Sequence, residues 1–268
     1  MSQDPQRSGS IRGVLLDLDG VLYTGDSLIE GAVASIDWLQ AQGLPFRYIT
    51  NTSTQTREQL QSRLEKLGLP VDVSIIFSAV QATEAWLNDQ GITRVAPLVN
   101  NSVAERLSEG FQIDRERPEA VIIGDIGDAW DYALLQQAFE WLLDGARLVA
   151  IHHNRYSRSG NKLVLDIGAF VVVLEYAAQT QAVVVGKPSV AFFHAACDSL
   201  SLSPEEVVVV GDDIDADVGG AQEAGCIGVL VETGKYRAEL VKRSGVRPDF
   251  QIVSIAKLPE LLAAAPAD

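Results

Sequence analysis

Cysteine is scarce in this chain: Cys197 and Cys226 are the two in 268 residues, and each lies inside an apolar or helical stretch. A disulfide framework is therefore excluded as the organising principle, and a reducing compartment is expected. Both thiols read as small buried fillers. No apolar run approaches the ~18 residues that a membrane span needs. The leading MSQDPQRSGS lacks the basic-then-apolar pattern of a signal peptide, so a cytoplasmic location is expected. Basic residues are also few, with 21 Lys and Arg against 36 Asp and Glu and a formal charge of −15. That balance repels nucleic acid and anionic membrane surfaces, and no local basic stripe offsets it. Small diffusible partners are expected instead. An anionic one would need positive charge supplied at its own site.

What is present is a core-forming chain. Hydrophobic residues make up 47% and charged residues 21%, as in a globular enzyme. The length favours two modules over one. The run Gly13 to Gly20 is apolar up to its first aspartate, as in a strand buried on both faces. A helix is expected near Gly31 to Gln42, a strand at Phe46 to Thr50 and an amphipathic helix at Arg57 to Gly68. The same rhythm returns late: a strand at Ala182 to Gly186, a helix from Ser189 to Leu200, a strand at Val207 to Asp213, a helix near Ala216 to Ala224 and a strand at Gly228 to Val231. Between these blocks lies a separate αβ pattern. Its strands are expected near Arg94 to Val99, Ala120 to Gly124 and Arg147 to His152, with helices near Asp131 to Leu143 and Gly168 to Ala178. The fold class is thus α/β: a doubly wound, Rossmann-like parallel sheet formed by residues 1–82 and 182–268, with residues 83–181 as an inserted α/β domain.

Four polar segments fall directly after apolar strands, where such sheets gather ligands. They are Asp17 to Gly20, Thr50 and Asn51, Gly186 to Pro188, and Gly211 to Asp213. Asp17 and Asp19, close together at the end of an apolar strand, are costly without a cation, and their hard oxygen ligands suit Mg²⁺. A carboxylate can attack phosphorus once the phosphate charge is neutralised, and Mg²⁺ and Lys187 are the available cations. The Thr50 hydroxyl, with the Asn51 N–H and amide, suits phosphoryl oxygens. Asp19 is left to move protons, and Asp212 is placed to complete the metal shell. Each segment alone has a plainer explanation: a turn or helix cap for the Asp17/Asp19 pair, a loop start for Thr50 and Asn51, a solvated lysine for Lys187, and helix capping for the aspartates from Asp212 to Asp217. Their joint order along the chain favours phosphoryl transfer.

The order of these motifs, DLDGVL, ITNTS, VGKP and VGDDIDAD, resembles the haloacid dehalogenase superfamily, subfamily IIA, whose larger α/β cap is inserted between the second and third motifs. The resemblance implies a HAD-like phosphatase. It assigns Asp17 as nucleophile and Mg²⁺ ligand, and Asp19 as acid/base with its main-chain carbonyl on the metal. Thr50, Asn51 and Lys187 would bind phosphate, Asp212 would bind Mg²⁺, and Asp213 and Asp217 would stand behind these ligands. The implied substrate is a small phosphorylated molecule: a phosphomonoester, pyrophosphate or a phospho-amino acid.

Specificity is expected in the cap. The segments His152 to Arg158 and Asp166 to Phe170 are the candidates, the first with a solvated hairpin as its plainer reading. Adjacent strand residues face opposite ways, which argues against a His152/His153 metal site. The alternative function is a non-catalytic phosphate-binding or regulatory module, working through a homodimer made by the cap. The intact set Asp17, Asp19, Thr50, Lys187 and Asp212 favours the enzyme, because a binding module has no use for a proton donor at Asp19.

Overall fold

The computed structural model describes residues 11–69, 71–159 and 162–264. It divides into two compact units. The first takes in the chain up to Thr50, Gln61–Phe77 and the chain from Pro188 onward. The second takes in Asn51–Leu60 and Ser78–Lys187.

The first unit is built on a six-stranded sheet in the order Phe250–Ile252, Ile227–Val231, Val207–Gly211, Gly13–Asp17, Phe46–Thr50, Ile76–Ser78. Gly13–Asp17 pairs parallel with both of its neighbours. The ladder continues parallel through Ile227–Val231 to Phe250–Ile252. Gly13–Asp17, Val207–Gly211 and Ile227–Val231 are buried at every position, which is why their sequences are unbroken apolar runs rather than alternations. The chain first builds the sheet outward from Gly13–Asp17 in one direction, then returns to build from Val207–Gly211 in the other. These two strands are adjacent, so the order reverses between them, and a doubly wound sheet opens a crevice beyond its carboxyl ends at that point. Asp17 closes one of the two strands and Asp212 follows the other. Cys197 and Cys226 are buried free thiols in this unit, their sulfurs 3.6 Å apart.

The second unit carries a five-stranded sheet in the order Val183–Val184, Arg147–Ala150, Ala120–Ile123, Arg94–Leu98, Gln112–Ile113, parallel throughout. Its core joins Val121, Ile123, Leu148 and Ala150 to Ala138 and Trp141 of helix Tyr132–Leu143 and to Val171 and Leu174 of helix Ile167–Ala178. Asp131 starts the first of these helices by accepting the Leu134 N–H at 2.8 Å. Tyr156–Ser159 and Lys162–Leu165 form an antiparallel hairpin.

One sequence expectation needs correction. The strand expected at Ala182–Gly186 to resume the first sheet is instead Val183–Val184, the edge strand of the second, paired with Val149 and Ala150. A short β-branched run specifies a strand but not the sheet that takes it. The boundary expected near 83 falls inside the helix Ala79–Asp89, which Ser78 caps by accepting the Gln81 N–H at 3.2 Å. The second compact unit begins before that helix, and it also takes in Asn51–Leu60 and residues 182–187.

Candidate active site

At the carboxyl edge of the first sheet, Asp17, Asp212 and Asp217 each present a carboxylate oxygen within 4.8 Å of the others. All three are buried, at 8%, 2% and 1% exposure. Asp17 and Asp212 owe their closeness to adjacent parallel strands in register, Leu16 lying opposite Val210. Asp217 arrives by a local device. Ile214–Gly219 is a π-helical turn, in which the Asp213 carbonyl accepts the N–H groups of both Asp217 and Val218. The wider turn, closed by the i+5 bond from the Val218 N–H to the Asp213 carbonyl, brings Asp217 round to the strand end, and such turns recur at functional sites. Asp213 holds the start of the turn by accepting the N–H groups of Asp215 and Ala216, while its own N–H donates to Asp217 Oδ2 at 3.1 Å.

Three buried carboxylates this close repel one another. Burial, with the charges of Asp17 and Asp217, pushes the Asp212 pKa well above the ordinary carboxylate range. Asp212 Oδ2 accepts the Lys235 N–H at 2.6 Å. Its Oδ1 is buried with no hydrogen-bond partner among the described residues. An orphaned carboxylate oxygen facing two further carboxylates fits a divalent cation, and the all-oxygen donor set is of the hard kind that Mg²⁺ prefers. Two glycines press against the same carboxylate. A Cβ built on Gly20 would stand 1.9 Å from Asp212 Oδ2, and one on Gly234 would stand 2.0 Å from it. Both have positive φ, 88° and 60°.

Asp19 lies beyond the end of its strand, with an exposed side chain. It is outside the three-carboxylate group. Thr50, the last residue of Phe46–Thr50, is buried at 4%. Lys187 is buried at 3%, which removes the solvated-lysine reading. Asn51 and Lys187 are joined within the second unit. The Lys187 N–H donates to Asn51 Oδ1 at 2.8 Å, and Asn51 Nδ2 donates to the Lys187 carbonyl at 2.9 Å. The Asn51 amide, expected to face a phosphoryl oxygen, is thus committed to main chain.

Two site residues lie closer to the cluster than sequence reasoning placed them. Asp217, expected behind the metal ligands, has a carboxylate oxygen within 4.8 Å of those of Asp17 and Asp212; the helix expected near Ala216 to Ala224 hides this, because it leaves out the π-helical turn that begins at Ile214. Lys235 was not singled out at all. Its Nζ stands 3.5 Å from Asp213 Oδ2. Burial works against its charge, but Asp213, Asp212, Asp217 and Asp17 together raise its pKa above the ordinary lysine value. The signal in the sequence was a lysine beside a glycine, four residues after a buried strand, too common a pattern to stand out.

In the second unit, the segment from His152 turns inward at its start. His152 is buried at 4%, with Nε2 3.4 Å from Ser53 Oγ and 3.7 Å from Asp166 Oδ1. Ser53 Oγ also accepts the Asp125 N–H at 3.1 Å. Arg155 is exposed, and Tyr156–Ser159 is one strand of the hairpin. Asp166 caps the helix Ile167–Ala178, and Phe170 on that helix stacks on Trp130 with ring centroids 4.5 Å apart.

Comparison with known proteins places this geometry. Residues 14–111 match a haloacid dehalogenase-like hydrolase family and residues 184–258 a HAD-hydrolase-like family. The chain is 40% identical over 230 residues to haloacid dehalogenase-like hydrolase domain-containing protein 2 of Bos taurus, covering 85% of this chain and 87% of that protein. It is 34% identical over 263 residues to phospholysine phosphohistidine inorganic pyrophosphate phosphatase of Homo sapiens, covering 96% of each. Among solved structures, p-nitrophenyl phosphatase from Archaeoglobus fulgidus superposes with a TM-score of 0.88 at 28% identity, covering 94% of this chain and all of that one.

Proposed function

The chain belongs to the haloacid dehalogenase superfamily, subfamily IIA, and from that premise we propose that this HAD-like phosphatase uses Mg²⁺ and an aspartyl-phosphate intermediate to hydrolyse a small phosphorylated substrate. The observation that carries the metal reading is the buried cluster of Asp17, Asp212 and Asp217 with the orphaned Asp212 Oδ1. These three side chains, with the Asp19 main-chain carbonyl, would hold the ion. When bound, Mg²⁺ supplies the positive charge that lets an anionic phosphoryl group approach a carboxylate.

The remaining chemistry belongs to the chain. An Asp17 oxygen attacks phosphorus as the bond to the leaving oxygen breaks, and Asp19 gives that oxygen its proton. Asp19 then takes a proton from water as the water attacks phosphorus, which frees phosphate and restores the Asp17 carboxylate. The exposure of Asp19 suits a group that must exchange protons with solvent. Thr50 and Lys187 bind phosphoryl oxygens. Asn51 contributes through its main-chain N–H, its amide being held by Lys187. The names of the relatives support a phosphomonoester, pyrophosphate or a phospho-amino acid as substrate. Residues 83–181 act as the cap that sets specificity. Two buried free thiols support a reducing, cytoplasmic setting, and among the described residues no helix is long and apolar enough to cross a membrane.

The test is phosphate release from p-nitrophenyl phosphate and a panel of metabolite phosphates, pyrophosphate and phospho-amino acids, with and without Mg²⁺. Turnover that needs Mg²⁺ and disappears in Asp17→Asn is the expected result. No turnover on any substrate, or unchanged turnover in Asp17→Asn, would sink the proposal.

A further inference from the structure

The loop after the strand Ile227–Val231 closes on the carboxylate cluster from one side. The Thr233 hydroxyl donates to the Gly20 carbonyl, and the Gly234 backbone is packed so tightly on Asp212 that it leaves no room for a Cβ. This contact delivers Lys235 to the cluster twice. Its main-chain N–H reaches Asp212 Oδ2 at 2.6 Å, and its half-buried ammonium reaches Asp213 Oδ2 at 3.5 Å. Asp213 in turn caps the turn that carries Asp217. One residue is therefore bonded to the carboxylate on one strand end and, through Asp213, to the turn that supplies another.

Asp17, Asp212 and Asp217 carry like charge in a buried space, and Asp213 adds a fourth carboxylate beside them. Such a cluster needs counter-charge whether or not a metal is bound. We propose that the Lys235 ammonium is a resident counter-cation of this cluster, a positioning residue that stabilises the metal-free site and thereby sets how tightly the chain holds Mg²⁺. The inference rests on the metal reading above. A fixed cation beside the site offsets part of the carboxylate repulsion before Mg²⁺ arrives, and it then repels Mg²⁺ once the ion is there. Both effects favour the metal-free state, so Lys235 holds the affinity below what four carboxylates would give alone. Its phosphatase role is indirect, because the ammonium bonds Asp213 rather than a reacting atom.

Lys235→Met keeps the main-chain bond to Asp212 and removes only the ammonium. Mg²⁺ alone is titrated into the full chain by calorimetry, and melting is followed for the metal-free and Mg²⁺-saturated forms. The expected result for Lys235→Met is a Kd for Mg²⁺ about three- to tenfold lower than wild type. The gap between metal-free and saturated Tm should widen, and Lys235→Arg should return both readouts to wild-type values. A merely structural lysine would lower both melting temperatures together. That outcome, or Mg²⁺ binding that is unchanged or weaker in Lys235→Met, overturns the inference while leaving the phosphatase reading intact. A wild-type chain that does not bind Mg²⁺ overturns the metal reading and this inference with it. Should Lys235→Met not fold, Lys235→Gln carries the same comparison.

Discussion

The side-chain amide of Asn51 exchanges two hydrogen bonds with the main chain of Lys187, accepting its N–H at 2.8 Å and donating to its carbonyl at 2.9 Å. The pair imitates a rung of a β-ladder, with a side chain standing in for a strand. Asn51→Ala leaves a donor and an acceptor unpaired beside a buried lysine, which costs about 1–3 kcal/mol. The expected outcome is a lower Tm and a raised KM in steady-state kinetics, because the backbone that aims Lys187 is loosened. Asn51→Asp keeps the acceptor, loses the donor and should fall between the two. A wild-type KM in Asn51→Ala would remove Asn51 from the phosphate site.

Asp19→Asn separates proton transfer from binding. Mg²⁺ and phosphate should bind as in wild type, while kcat falls roughly 10²- to 10⁴-fold, the usual worth of a general acid and base. Calorimetry with Mg²⁺ and phosphate, run beside single-turnover kinetics, reads the two effects apart. A variant that turns over at the wild-type rate would refute the role given to Asp19.

How much of this was legible in the sequence follows from how local each feature is. Gly13–Asp17, Phe46–Thr50 and Val207–Gly211 announce themselves because strands buried in a parallel sheet are continuous apolar runs, and the polar residues that end them mark the site edge. Val183–Val184 was read into the wrong sheet, because partner choice is a tertiary property that two valines do not encode. The place of Asp217 depended on a π-helical turn that an aspartate-rich helix start does not reveal. Lys235 lies far along the chain from Asp17, and only the contact of Gly234 with Asp212 brings its significance into view.

Gly234→Ala places a methyl group where the Asp212 carboxylate now sits, at a backbone angle that L side chains rarely adopt. Asp212 must move, so Mg²⁺ binding measured by calorimetry should weaken at least tenfold. Retained affinity would mean that Asp212 is not a ligand.

Glu119 offers a pH-dependent check on the second unit. The N–H groups of Thr93 and Arg94, each donating at 2.9 Å, hold its carboxyl below the ordinary range. A folded pKa below the unfolded one means stability that is present at neutral pH and lost as pH falls through the folded value. Glu119→Gln should therefore melt below wild type at pH 7, and the difference should close in acid. A gap that stays constant with pH would mean that the charge of Glu119 contributes nothing.

Helix Ile167–Ala178 exposes Val172 and Val173 at 50% each and Tyr176 at 87%, neighbouring positions on one helical face. A homodimer made by the cap, as the sequence leads one to expect, would bury this face. Tyr176→Asp should shift sedimentation velocity profiles toward monomer. A wild-type chain that is monomeric at every concentration would end the dimer proposal.

The π-helical turn Ile214–Gly219 makes the site sensitive to a kind of change unlike any substitution above. Its exposed side chain, Asp215, can vary as long as Asp217 is kept and Asp213 still holds its start, but its residue count cannot. Losing one residue between Asp213 and Asp217 would let the turn relax into an ordinary α-helix and swing the later carboxylate by about 100° around the axis, away from Asp17 and Asp212. Every acidic residue of the cluster would still be present, in the right order and of the right type, and the site would be gone. Spacing, rather than composition, is what this stretch of chain has to preserve.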